Sequence, residues 1–155
     1  VSEHIFADGS YVLLRDRDGV WQVTGRSGQR SELKACHSRQ RASVSNSEIA
    51  RAMAPDAVLQ EAVERIGSVR TIQAPSNKVR REFYKQAMDA FDELEWVRVI
   101  KTAYLRGKDH CAQPYEEAYS QRAKSYLHGQ LAIALYIPLE QVEQYITQKV
   151  ESDEW

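Results

Sequence analysis

The chain predicts an α+β protein, a small antiparallel β-barrel followed by an all-helical bundle, because its residue pattern changes once, near Ser45. Before that point short β-forming runs alternate with Gly-containing turns. After it, apolar residues recur at spacings of three and four. Pro55, Pro75, Pro114 and Pro138 all fall at predicted element boundaries. The expected division is a β domain over residues 1–45 and a helical domain over 46–155.

Asp8-Gly9 is a turn, and Tyr11–Arg15 is the first strand. Arg17-Asp18-Gly19 forms a hairpin turn, since Asp-Gly accepts the positive φ that tight hairpins need. Val20–Thr24 returns from it, and Gly25 and Gly28 mark the next turn. Ser31–His37 and Gln40–Ser45 read as two polar strands. Short antiparallel strands of this kind curl into a small barrel more readily than they lie flat.

Ser45 and Glu48 stand at capping-box spacing and predict a short helix through Met53. Pro55-Asp56 open the next helix, whose stripe is Val58, Leu59, Ala62, Val63 and Ile66, with Gly67 as its stop. Ser68–Asn77 is a connector that ends in a cap at Ser76 or Asn77. A third helix carries Val79, Phe83, Ala87 and Ala90 on one face. Asp92 and Glu95 form a second capping box, opening a fourth helix with Val97, Ile100 and Tyr104 inward and Gly107 at its end. A fifth starts after Pro114, with Tyr119, Ala123, Tyr126, Leu127 and Leu131 inward. Pro138 starts a sixth, carrying Leu139, Val142 and Ile146. Among the aromatics, Phe83, Tyr104, Tyr126 and Tyr145 read as core and Trp96 as half-buried. Trp21 is open between solvent and a partner, and Trp155 closes an acidic tail expected to be disordered.

At 155 residues and 43% hydrophobic, the chain has material for one ordinary domain or two small ones. No apolar run approaches the ~18 residues of a membrane span, and no secretory segment opens it. Cys36 and Cys111 supply no disulfide framework, so a reducing cytoplasm is expected. The net charge of −1 argues against a dedicated nucleic-acid binder. Yet the charge is segregated. Arg65, Arg70, Lys78, Arg80, Arg81 and Lys85 face Glu82 alone, Arg98 to Lys108 is free of acids, and the end of the chain is acidic.

No Gly-rich phosphate loop, nucleophile elbow or zincin signature appears. Cys36-His37 with His110-Cys111 has the composition of a zinc site, but adjacent strand residues point to opposite faces. The acids sit at helix starts and on solvated faces. The expectation is a protein that is not an enzyme, with no cofactor and no metal. The cations at Lys78, Arg80, Arg81 and Lys85 read either as a solvated helix face or as a phosphate site. Cations in a first helical turn oppose the macrodipole, so helix stability did not select them, and free backbone donors there suit an anion.

Several segments resemble the CarD/CdnL family of bacterial transcription regulators. In the first half these are Ile5-Phe6, Gly9, Tyr11-Val12-Leu13, Gly19-Val20-Trp21, Leu33-Lys34 and Ser43-Val44-Ser45-Asn46. In the second they are Phe83-Tyr84-Lys85-Gln86-Ala87, Trp96 to Arg106, Gly129 to Leu135 and Ile137 to Val142. The likeness covers nearly the whole chain in order. It implies a Tudor-like β domain that binds the β subunit of RNA polymerase, and a helical domain that contacts promoter DNA and tunes open-complex stability. By position, Gln29, Arg41, Ser43 and Val44 would face the polymerase. Lys78, Arg80, Arg81, Lys85, Lys101 and Arg106 would face DNA. Arg80 stands where relatives place a wedging Trp, which implies electrostatic contact instead. Tyr136 replaces a helix-ending Gly, so that helix is expected to close another way. Free-DNA affinity is expected to be weak and salt-dependent, with about five or six phosphates neutralised. A cytoplasmic monomer without membrane contact is expected, with strand exchange into a dimer left open. The alternative is a protein-interaction module that uses a β edge and no nucleic acid.

Overall fold

A computed structural model describes residues 6–150. Ile5 and Trp155, both used in the sequence reading, lie outside the described residues. The chain divides into two units, Val1–Ala54 and Pro55–Trp155.

The first unit is an antiparallel sheet of β1 (Tyr11–Leu14), β2 (Val20–Ser27), β3 (Arg30–Ala35), β4 (Arg41–Ser45) and β5 (Ile49–Ala52), in the order β4-β3-β2-β1-β5. Gly19 (φ 86°) and Gly28 (φ 64°) supply the positive φ of the two hairpin turns. Gly25 lies inside β2, where the register with β3 shifts. Val12, Leu14, Trp21, Val23, Leu33, Val44 and Ile49 fill one face. Trp21 is therefore core, only 2% exposed, and its indole donates to the Asp18 carbonyl at 3.0 Å.

Residues 46–53 are not the expected helix. Asn46–Glu48 form a single 3-10 turn, and Ser45 makes no side-chain cap bond. β5 follows and pairs with β1, with Met53 N donating to Tyr11 O at 2.9 Å. The capping-box spacing misled because no helical apolar stripe stands behind it. The β unit thus runs on to Ala54, past Ser45.

β4 and β5 form opposite edges of this sheet and do not pair with each other, so the sheet is not a closed barrel. It is nonetheless strongly curved. Flat, its edges would lie about 19 Å apart. The turn from Ser45 to Ile49 reaches only about 14 Å.

The second unit holds α1 (Asp56–Glu64), α2 (Asn77–Asp89), α3 (Glu93–Lys108), α4 (Pro114–Leu135) and α5 (Val142–Val150). Ser76 caps α2 through Val79 N, and Asp92 caps α3 through Glu95 N. Pro114 is the first residue of α4. Trp96 is fully buried rather than half-buried and stacks on Tyr126 at 5.1 Å between centroids. Phe91 closes the cluster, 5.3 Å from Tyr126. On α2 the buried face is Tyr84, Ala87 and Met88, a rotation from the expected stripe that leaves Phe83 exposed. Tyr104 and Val58 also face outward.

Three helices end on a non-glycine residue in the left-handed region: Phe91, His110 and Tyr136. Gly107, expected as a stop, lies inside α3, and His110 performs that role. After α4, Tyr136 N and Ile137 N donate to Ile133 O and Ala132 O. This is the closure a glycine would give, so Tyr136 does not close the helix another way.

Candidate nucleic-acid interface

The six cations expected to face DNA do not form one patch. Lys101 is buried, and its amine donates to the carbonyls of Ile66, Gly67 and Val69 at 3.0, 3.2 and 2.8 Å. Those carbonyls belong to the turn after α1, so Lys101 caps a helix end from inside the unit. Arg106 is also turned inward. Its Nε donates to Glu116 Oε1 at 2.6 Å, and its terminal nitrogen donates to Cys111 O at 2.9 Å. Neither side chain is presented for a phosphate. A lysine or arginine looks the same in sequence whether its partner is a carbonyl or solvent.

Glu116 anchors this inner cluster. It is fully buried and also accepts from Tyr84 OH at 2.9 Å and Gln113 N at 2.7 Å. Burial alone would raise its carboxyl, but the bonds from Arg106, Gln113 and Tyr84 outweigh that and hold it below the usual range. Burial, then the bond to Glu116, pushes the Tyr84 phenol up.

Arg80 folds back along its own connector, donating to Asn77 Oδ1 at 2.7 Å and Ala74 O at 3.3 Å. Lys85 pairs with Asp89 at 3.3 Å, with both groups exposed. Such a pair is weak and exchangeable.

Lys78 and Arg81 remain at the surface. Both line a shallow hollow with Glu82 of α2 and with Gln113, Pro114 and Tyr115 at the start of α4. Arg81 lies 4.5 Å above the Tyr115 ring. Tyr115 is set by Tyr84 and Tyr119, edge-on to both at 5.8 and 6.4 Å, and those two stack on each other at 5.7 Å. The hollow therefore joins two cations to the positive macrodipole ends of two helices, although Ser76 caps Val79 N, Gln113 caps Glu116 N and Pro114 has no N–H. Tyr115 was not legible as a site residue, because only the fold brings residues 81 and 115 together.

The four positions expected to face the polymerase lie on the β unit. Gln29 is in the β2–β3 turn, and Arg41 and Ser43 are exposed on β4. Val44 is not: it is 1% exposed and belongs to the sheet core, so no partner meets its side chain. β4 is an edge strand. Ala35 N donates to Gln40 O and Asn46 N to Gln29 O in one register, so alternation turns the Arg41 and Ser43 peptide groups away from β3. Ser43 Oγ accepts from Arg30 and donates to Glu32, and the Arg30 guanidinium also donates to Ser43 O at 2.7 Å, so that carbonyl is already taken.

Among the described residues no cluster of His, Cys, Asp and Glu is suited to a metal, and no helix is long and apolar enough to cross a membrane. Burial pushes the Cys36 thiol up to about 11, against the opposing effect of Lys34. No protein-family model matches the chain, and no curated protein matches it.

Proposed function

We propose that the chain is a cytoplasmic, non-enzymatic transcription regulator of the CarD/CdnL kind. In this reading the curved sheet acts as the Tudor-like module, and the open edge of β4, with Arg41 and Ser43, docks on the RNA polymerase β subunit. The helical unit then presents Lys78 and Arg81 to the promoter backbone and tunes open-complex stability. The observation that carries the DNA role is the hollow where these two cations meet the starts of α2 and α4. Two cations give weak binding alone, and tethering to polymerase supplies the effective concentration.

The test measures two things with a bacterial polymerase: retention of the chain on the isolated β lobe, and open-complex lifetime with and without the chain. Retention together with an altered lifetime is expected. A chain that neither binds the lobe nor changes the lifetime refutes the proposal.

The inward turn of Arg80, Lys101 and Arg106 favours a second reading, a protein-interaction module that uses the β4 edge without nucleic acid. It predicts lobe retention with no salt-dependent DNA binding, even on polymerase.

A further inference from the structure

We propose that the helical unit contains a binding cavity for a small uncharged apolar molecule carrying a single hydrogen-bonding group. A cavity of about 240 Å³ lies between α3, α4 and α5. Its walls are aliphatic, from Val97, Ile100, Leu127 and Ile146. The polar groups of Ser120, His128 and Thr147 interrupt them, and Glu117, Lys124 and Glu143 add charge. Ser120 lines the cavity at 3% exposure. The His128 imidazole, two helical turns along the same α4 face, lines it too.

The Ser120 hydroxyl and the His128 imidazole are groups on this wall that can orient a ligand by a hydrogen bond. The volume exceeds the roughly 150 Å³ that suffices to hold benzene in an apolar cavity. It falls somewhat below the range of roughly 300–1,000 Å³ usual for drug-sized ligands. One ring, or two fused rings, fits.

Charge selects further. Lys124, at the rim, is already paired with Glu143 at 3.3 Å. Glu117, also lining, accepts from Gln121 at 2.8 Å. Burial, then Lys124, pushes the His128 imidazole down to about 4, against the pull of Glu143, so it is neutral near pH 7. An anion would meet two carboxylates and no spare cation. A cation would meet the surplus carboxylate at the rim but aliphatic walls within, which solvate no charge. An uncharged molecule meets apolar walls and one donor–acceptor pair, and nothing in the promoter reading uses this site.

Indole is the probe, titrated into the full chain by calorimetry and followed by amide chemical shifts. Saturable 1:1 binding is expected, with the largest shifts among the residues lining the cavity. Ser120→Leu fills the space and should abolish binding. His128→Leu, at a partly exposed position, should weaken it about tenfold, which keeps the test decisive if the first variant does not fold. Octanoate and octylamine should bind at least about tenfold more weakly than indole. Absence of saturable binding, shifts centred elsewhere, full indole affinity in His128→Leu, or tighter binding of either charged probe overturns the proposal.

Discussion

Arg106 Nε donates to Glu116 Oε1 at 2.6 Å, and the carboxylate it meets is fully buried. The pair ties the end of α3 to the start of α4, because Glu116 also accepts from Gln113 N. It is a structural contact made by a residue whose place in the CarD/CdnL resemblance implied DNA contact. Glu116→Gln should destabilise the helical unit by about 3 kcal/mol in urea denaturation, since it leaves Arg106 without its charge partner. The Glu116 carboxyl is held below its ordinary value in the folded chain. Its stabilisation is therefore complete above the unfolded value of about 4.3, and it is lost as pH falls through the lower folded value. The variant should lack that acid-side loss.

Lys101→Met separates fold from function. Removing the amine leaves the Ile66, Gly67 and Val69 carbonyls without their shared donor. A loss of about 2 kcal/mol in stability is expected, with DNA affinity unchanged. A variant that folds normally but binds DNA less well would return Lys101 to the interface.

Tyr136 is 95% exposed and holds φ 55°. Tyr136→Gly removes a left-handed strain of roughly 1–2 kcal/mol and gives back part of it as chain entropy. A net gain of about 0.5–1 kcal/mol is expected in thermal denaturation. Phe91→Gly should do the opposite, because the Phe91 ring packs on Trp96 and Tyr126.

The sequence reading was most accurate where local chemistry decides. Asp18-Gly19, Ser76 and Asp92 mark a hairpin and two helix starts that the structure reproduces. It failed where packing decides. Ser45 and Glu48 have helix-start spacing, but Ile49 pairs its strand with β1. Phe83 and Tyr84 are neighbours of similar size, and it is Tyr84 that bonds Glu116 and packs on Tyr115 and Tyr119. For the site, the positive charge on α2 was legible. The aim of each side chain was not, and neither was the ring that holds Arg81.

The edge of β4 offers a separate test. Arg41→Pro removes a peptide N–H that points away from β3, a substitution an edge strand tolerates at its first residue. Retention on the polymerase β lobe should fall about tenfold or more if docking adds a strand there, while the melting temperature changes little. Unchanged retention would move the docking surface off this edge.

Salt dependence distinguishes the two cations of the hollow, Lys78 and Arg81, from the five or six first expected. The slope of log affinity against log salt for duplex DNA should be about −2. A slope near −5 would mean that Arg80, Lys85, Lys101 and Arg106 also reach phosphate.

Open-complex lifetime with the Lys78→Glu, Arg81→Glu double variant addresses the central claim most directly, with Arg80→Gln as the control for the inward-folded guanidinium. The double variant should lose the effect of the wild-type chain on lifetime while keeping its hold on the β lobe, and the control should keep most of that effect. An unchanged effect in the double variant would contradict the claim that these two cations meet the promoter.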